Sequence, residues 1–320
     1  MIATPLLRNV AAAALSFVFT GFTAAHAAAP MAKTNAPGFY RMMLGDFEVT
    51  ALSDGVVGLK VDELLNEPPA KVNAALQLVH LKNPVETSVN GYLVNTGSKL
   101  VLIDTGAAGL FGPTLGNLVK NLHAAGYQPE QVDEIYITHM HADHVGGLMA
   151  GDKMVFANAI VRADQHDADY WLSQANLDKA PEDKKGFFKG AMASLNAYVA
   201  AGKFKPFDGD TELVPGVKAH ASRGHTAGHS TYIVESKGEK LVLWGDLMHV
   251  AAVQFPDPSV TIKFDSDNKA AAVQRKKAFA EAAKEGYLVA AAHLSFPGVG
   301  RIRALGKGYT FVPVNYSVIR

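Results

Sequence analysis

The chain has 320 residues, 48% of them hydrophobic, which is enough for one large domain or two small ones. It carries 30 Lys and Arg against 30 Asp and Glu, so the basic excess typical of a nucleic-acid-binding protein is absent. It contains no cysteine, which excludes disulfides and zinc sites built on thiolates. Any metal ion must therefore be held by His and carboxylate side chains.

The N-terminus has the pattern of an export signal. Arg8 is the only charged residue among the first thirty, an apolar stretch runs from Val10 to Ala25, and the small-x-small pattern at 25–27 and again at 27–29 suits cleavage. The alternative is a membrane anchor, for which this stretch is short and rich in Ala, Thr and Gly. We predict a signal peptide over residues 1–29, a single mature domain over 30–320, and a periplasmic or secreted protein that contacts no membrane after signal removal.

Strand and helix patterns alternate from Phe39 onward, which predicts α/β layers. Strands are predicted over 47–52, 91–95, 99–103, 134–138, 217–221, 230–235, 240–243 and 287–291, with a hairpin turn at 96–98. Helices are predicted from Pro113 to Gly126, and near 163–174, 187–200 and 268–285. The basic cluster at 275–277 is interpreted as a solvated face of the last helix.

The most specific pattern lies between Thr138 and Gly147, where four side chains able to bind a metal fall within six residues. His139, His141, Asp143 and His144 directly follow a predicted strand, and two glycines let the chain turn there. The ligands would spread from one loop, unlike those of the His-Glu-x-x-His pattern, which share a helix face. Four unrelated polar residues are a poor explanation for this density.

One loop cannot enclose two ions, and further candidate ligands stand next to later strands. His225 and His229 precede a predicted strand, while Asp246 and His293 each follow an apolar one. In an α/β sheet, ligand groups gather just beyond the strand ends. The spacing alone does not decide whether His225 or His229 is the ligand.

In order and spacing, these residues resemble the ligand set of the metallo-β-lactamase superfamily. More specific segments, at 40–47, 93–100 and 311–316, resemble bacterial methyl parathion hydrolases and related lactonases of the dihydrocoumarin hydrolase type. The resemblance covers nearly the whole mature chain. It implies a four-layered αββα sandwich, a dinuclear metal site at the edge of the two sheets, and a homodimer.

The resemblance also implies a role for each candidate ligand. It assigns His139, His141 and His229 to one ion, assigns Asp143, His144 and His293 to the other, and lets Asp246 bridge both. Zinc suits these ligands, with Mn, Co or Fe as alternatives. His225 is left to orient a ligand or to support the structure. Asp104, at a strand end, would orient a ligand imidazole, although a turn-stabilising role is equally compatible.

Two such ions would supply a metal-bridging hydroxide at neutral pH, with Asp143 and Asp246 as the catalytic carboxylates beside it. This chemistry opens lactones, cleaves aryl esters and hydrolyses phosphotriesters, so the pocket must select the substrate. In the parathion hydrolases, aromatic residues matching Phe111, Trp171 and Phe187 line that pocket. The residues alone, without the resemblance, favour an ordinary core role for these aromatics.

The chain differs from the parathion hydrolases at several pocket positions. It has Leu64, His249, Ile262 and Phe264 where those enzymes carry Arg, Leu, Thr and Leu. Bulkier residues would crowd a dimethyl phosphorothioate more than a flat, neutral aromatic lactone. We therefore expect a lactonase or arylesterase for dihydrocoumarin-type substrates, with organophosphate hydrolysis as a side activity. The alternatives are a methyl parathion hydrolase and, in a different class, a non-catalytic metal-binding protein.

Overall fold

The computed structural model describes Met1 and residues 29–319, so the predicted signal peptide lies almost entirely outside the described residues. The chain divides into two units, Met1–Asn35 and Ala36–Arg320. Residues 29–35 form no helix or strand, and the elements below all belong to the second unit. Within the described part of the chain, no helix is both long and apolar enough to span a bilayer.

Two large sheets form the centre of the second unit. The strands are β1 (Phe39–Leu44), β2 (Phe47–Leu59), β3 (Val85–Asn95), β4 (Leu100–Ile103), β5 (Glu134–Tyr136), β6 (Met149–Ala150), β7 (Lys153–Met154), β8 (Ile160–Arg162), β9 (Thr211–Val214), β10 (Val217–Ala221), β11 (Ser230–Ser236), β12 (Glu239–Leu243), β13 (Leu288–Ala290), β14 (Val299–Leu305) and β15 (Gly308–Pro313). The first sheet has the order β1-β2-β3-β4-β5-β8, and the second has the order β15-β14-β13-β12-β11-β10-β9. Strands β6 and β7 form a separate short hairpin.

Helices cover the outer face of each sheet. They are α1 (Val61–Leu64), α2 (Pro69–Leu78), α3 (Leu118–Ala124), α4 (Ala142–Val145), α5 (Gln165–Trp171), α6 (Gln174–Lys179), α7 (Lys185–Ala200), α8 (Ala251–Gln254) and α9 (Asn268–Glu285). Strand β4 shows why layers form on both sides of a sheet. Leu100 and Leu102 pack in the core that contains α3 and α7, whereas Val101 and Ile103 pack in the core between the sheets. Phe279 of α9 packs in the core on the far side of the second sheet. The predicted αββα sandwich is confirmed.

Two sequence predictions about helices are wrong in ways that hydrogen bonds explain. The helix predicted from Pro113 begins only at Leu118, because Asp54 holds the preceding turns by accepting the backbone N–H groups of Gly116 and Leu118. Arg275, predicted to lie on a solvated helix face, is fully buried and donates from Nε to the carbonyl of Leu247 at 2.6 Å. A buried guanidinium needs such acceptors, which sequence periodicity does not show.

The strand directions place the candidate ligands at one edge. Strands β4 and β5 run parallel, as do β12 and β13. Asp104 follows β4, and the segment that starts at His139 follows β5. Asp246 and His293 follow β12 and β13 in the same way. Loops from both sheets therefore meet at this edge.

Candidate metal centre

Seven buried or nearly buried side chains at this edge form two groups with metal-ligand chemistry. The first ligand group contains His139, His141, His225 and Asp246, and the second ligand group contains Asp143, His144 and His293. Within each group, the candidate ligand atoms lie within 4.8 Å of one another. Asp246 also reaches the second group, with Oδ1 3.2 Å from Nε2 of His144 and Oδ2 3.1 Å from Nε2 of His293. Its carboxylate therefore lies between the two groups.

Close packing after β5 fixes the ligands of the first sheet. The segment turns through the short helix α4, which contains Asp143 and His144. A Cβ atom at Gly146 would collide with the carbonyl of Ala107, and one at Gly147 would collide with the carbonyl of Thr105. Only glycine allows this segment to approach the loop after β4 so closely.

Asp104 connects that loop to the ligand segment. Its Oδ1 accepts the backbone N–H of Thr138, and its Oδ2 accepts the Thr138 hydroxyl and Nδ1–H of His144, each at 2.8 Å. Asp104 itself has a left-handed backbone, with φ of 58°. The two roles weighed for this residue, orienting a ligand and stabilising the local backbone, therefore occur together.

Hydrogen bonds at Nδ1 orient three histidine rings so that their Nε2 atoms face the site. Nδ1–H of His144 donates to Asp104, that of His225 donates to Asp265 at 2.9 Å, and that of His293 donates to the Ser88 carbonyl at 2.9 Å. The Nε2 atom of each imidazole then lies on the opposite side of the ring, where it faces the other candidate ligands. This pattern is the one that metal-binding histidines show when an outer partner orients them.

The facing atoms fit a cation better than they fit one another. Nε2 of His225 lies 3.2 Å from both Nε2 of His139 and Nδ1 of His141. Burial lowers the pKa of all three imidazoles well below the ordinary value, so they are neutral at pH 7. Nε2 of His144 and Oδ1 of Asp246 lie 3.2 Å apart, and neither of these buried atoms makes a hydrogen bond to any described residue. Converging imidazole nitrogens and carboxylate oxygens are a donor set that suits Zn²⁺ and related divalent ions.

The prediction that His229, rather than His225, binds the first ion is wrong in this geometry. Nδ1–H of His229 donates to the Ser222 carbonyl at 3.0 Å, and its Nε2 accepts the backbone N–H of Asp246 at 3.1 Å. Both ring nitrogens are used, and burial lowers the pKa of His229 to about 4. His225 takes the ligand position, while His229 supports the backbone of Asp246.

His249 was predicted as a pocket residue and lies in the metal centre itself. Its Nε2 is 3.1 Å from Oδ2 of Asp246, and its ring stacks on His293 with centroids 5.2 Å apart. Despite this short distance, neither ring nitrogen has the geometry of a hydrogen bond to any residue that the structure describes. Asp246, His249 and His293 form a third group with ligand spacing, which overlaps the other two.

An aromatic cavity of about 230 Å³ opens beside His141. Three predicted pocket residues, Trp171, Phe187 and Phe264, line it. Sequence analysis did not single out the other lining residues, which are Tyr170, Lys184, Phe188, Asp265 and Ser266. They belong to no motif, and only adjacency to Trp171, Phe187 and Phe264 could have pointed to most of them.

The remaining predicted pocket residues lie elsewhere. Ile262 is a buried member of an apolar cluster that contains Val250, and the partly buried Leu64 and Phe264 pack against this cluster. Phe111 packs against a different cluster that contains Val89. Leu64, Ile262 and Phe111 therefore belong to apolar clusters and do not line this cavity.

Sequence analysis also missed Asp167, whose carboxylate accepts hydrogen bonds from both the segment after β5 and the segment before β11. Its Oδ2 accepts the backbone N–H of Met140 at 2.9 Å, and its Oδ1 accepts that of Gly228 at 2.6 Å. Burial raises the pKa of Asp167 to about 6. Met140 lies between two candidate ligands, so this buried carboxylate helps to fix their backbone.

The family comparison agrees with this geometry. A family model described as the metallo-beta-lactamase superfamily matches residues 84–293. The chain belongs to the metallo-β-lactamase superfamily. The matched residues contain both ligand groups in full, so this superfamily member is a hydrolase by fold and by site.

Several relatives of this metallo-β-lactamase-superfamily chain have known structures or activities. The crystal structure of the hydrolase AbOPH, in the beta lactamase superfamily, is 37% identical with a TM-score of 0.85, and the match covers 89% of this chain and 100% of that one. AidC, a dizinc quorum-quenching lactonase, is 27% identical with a TM-score of 0.81 over 88% of this chain and 99% of its own. An N-acyl homoserine lactonase from a Bacillus species is 27% identical over 205 residues, which are 58% of this chain and 74% of that protein. Together with the dizinc relative, the two ligand groups suggest two divalent metal ions in this chain.

Proposed function

We propose that this chain is a dinuclear zinc lactonase that opens the ring of neutral lactones and favours aromatic lactones of the dihydrocoumarin type. The observation that carries the proposal is the position of Asp246 between two ligand groups, the first of which borders an aromatic cavity through His141. When bound, two divalent ions supply hydroxide at neutral pH and polarise the carbonyl that is attacked. The lactonase names of AidC and the Bacillus relative support the same reaction class.

The side chains of this chain divide the remaining tasks. Trp171, Phe187 and Phe264 give the cavity an aromatic wall that suits a flat ring. Asp143 has a 12% exposed side chain, more than the other carboxylate of the centre, Asp246, at 4%. Asp143 is therefore the carboxylate placed to accept a hydrogen bond from the attacking water. A cavity of about 230 Å³ holds one small bicyclic lactone.

A substrate comparison tests the proposal. The full chain, loaded with Zn²⁺, is assayed for kcat/KM on dihydrocoumarin, an N-acyl homoserine lactone, a phenyl ester and methyl parathion. We expect dihydrocoumarin to lead the other three by at least about tenfold, which corresponds to ~1.4 kcal/mol of transition-state binding. Chelation should abolish turnover and Zn²⁺ should restore it.

Each other outcome has a defined meaning. A lead for the N-acyl homoserine lactone would keep the lactonase class and reject the aromatic preference. A lead for methyl parathion would identify a phosphotriesterase instead. Absence of turnover with two ions bound would favour a non-catalytic metal-binding protein. The homodimer and the periplasmic or secreted location stay predictions from the sequence.

A further inference from the structure

Asp265 joins the first ligand group to the wall of the aromatic cavity. Its Oδ1 accepts Nδ1–H of His225 at 2.9 Å, and both side chains are no more than 2% exposed. Asp265 also lines the cavity next to Phe264. Asp265 thus contacts a candidate ligand through its buried side chain and also belongs to the wall of the cavity where substrate would bind.

A buried guanidinium faces the other oxygen of this carboxylate. Oδ2 of Asp265 accepts the backbone N–H of Ile262 at 3.2 Å and lies 3.7 Å from Nη2 of Arg275. Arg275 also donates to the carbonyls of Leu247 and Val260, each at 2.6 Å. Leu247 directly follows Asp246 in the chain. Arg275 therefore connects the segment of the shared carboxylate to the segment of the cavity wall.

The backbone reinforces this connection. The N–H of Ser266 donates to the His225 carbonyl at 2.8 Å, and the N–H of Asp267 donates to the Gly224 carbonyl at 2.9 Å. The cavity segment around Asp265 and the histidine segment around His225 are thus held together at three points. A shift of one segment must move the other.

Stability alone is a weak explanation for this arrangement. A buried ion pair costs desolvation free energy, and well-packed apolar residues of similar volume often stabilise a fold as well or better. A carboxylate that accepts Nδ1–H of a metal-binding imidazole, in contrast, fixes its tautomer and ring orientation. We propose that Asp265, held by Arg275, is a positioning residue that aims Nε2 of His225 at the other members of the first ligand group and couples this group to the cavity wall. The coupling to substrate rests on the proposed function, whereas the aiming of His225 does not.

Metal retention tests the inference without substrate. Full-length wild type, Asp265→Ala and Asp265→Asn are loaded with Zn²⁺ and titrated with a chelator, and metal content and thermal stability are followed. We expect Asp265→Ala to lose one of two ions at a chelator concentration ~10–100-fold lower than wild type, the usual effect of removing a partner that orients a ligand. Asp265→Asn keeps an acceptor for His225, so the chelator concentration at which it loses an ion should shift less. This variant replaces Asp265→Ala in the test if the Ala variant does not fold.

The chain offers a matched control in Glu134 and Arg162. They form a carboxylate–guanidinium pair of 2.7 Å that is also largely buried and belongs to none of the groups with metal-ligand spacing among the described residues. Glu134→Gln should lower thermal stability while leaving both ions in place, and Arg275→Met should shift metal retention in the same direction as Asp265→Ala. Wild-type metal retention in Asp265→Ala, or an equal loss in Glu134→Gln, would overturn the inference. Selective ion loss in a chain that opens no lactone would reject only the proposed function.

Discussion

The two sheets contribute to the metal centre in different ways. The first sheet supplies four candidate ligands from one continuous segment, whereas the second sheet supplies His225, Asp246 and His293 from three separate loops. The continuous segment is shaped largely by close packing at its two glycines. The separate ligands are oriented by partners far away in sequence, such as Asp265 for His225 and Ser88 for His293.

Because of this difference, the sequence predicts the ligand geometry of the first region better than that of the second. In the first region, residue type and spacing almost determine the geometry, because the ligands are neighbours in one loop. In the second region, two histidines four residues apart have the same local chemistry, and only distant contacts separate their roles. Substitutions that act on one region at a time therefore measure how independent the two contributions are.

The largest effect should come from Asp246, the residue of the second region that reaches both ligand groups. We expect Asp246→Ala to reduce kcat/KM for dihydrocoumarin by more than the ~10–100-fold typical of a residue that only orients a ligand. The comparison variant is Asp104→Ala, which removes the partner of His144 in the first region. Metal content should fall further in Asp246→Ala than in Asp104→Ala. Equal losses in both variants would place Asp246 outside the ligand set.

A smaller effect should separate His225 from His229. His225→Ala removes an Nε2 that faces His139 and His141, so we expect the chain to retain about one ion under mild chelation. His229→Ala leaves the buried N–H of Asp246 without an acceptor, which costs about 1–3 kcal/mol of stability. It should melt at a lower temperature and still bind two ions. Loss of an ion in His229→Ala alone would restore the assignment made from the sequence.

Much of the fold could be predicted because its patterns are local. Strands β4 and β10 and the long helix α9 lie where alternation and helical spacing predict them. Helix α2 and the hairpin of β14 and β15 gave no prediction. The burial pattern of β14 is set by its pairing with β13 and β15, which the sequence of one segment does not show. Its buried residues are Val299, Gly300 and Ile302, and exposed residues follow them.

The candidate site could be predicted where residue types that bind metals stand at recognisable positions in the sequence. The dense motif after β5, Asp246 and His293 could be found because each follows an apolar strand. The choice between His225 and His229 failed because it depends on the hydrogen bonds of Nδ1 and Nε2, which form only in the folded chain. Asp265 belongs to no sequence motif, and the burial of Arg275 reverses the solvated role that its basic cluster indicates.

The smallest expected effect concerns His249, which lies between Asp246 of the second region and Phe264 of the cavity wall. His249→Leu removes an imidazole 3.1 Å from Asp246 and 6.1 Å, between ring centroids, from Phe264. Both ligand groups are complete without His249, so we expect the variant to keep its two ions. Phosphotriester turnover should rise relative to lactone turnover by about tenfold, which needs only ~1.4 kcal/mol of differential transition-state binding.

The matched control is Phe264→Leu, which changes the cavity wall without touching a carboxylate of the centre. If His249 acts through fit, both variants should shift the ratio of methyl parathion to dihydrocoumarin turnover in the same direction at constant metal content. The two reactions share their nucleophile, so only the shape of the site can separate their rates. If His249→Leu instead lowers both rates by one factor and loses metal, while Phe264→Leu shifts the ratio, His249 belongs to the ligand set. The preference for lactones would then depend on the cavity wall and not on this histidine.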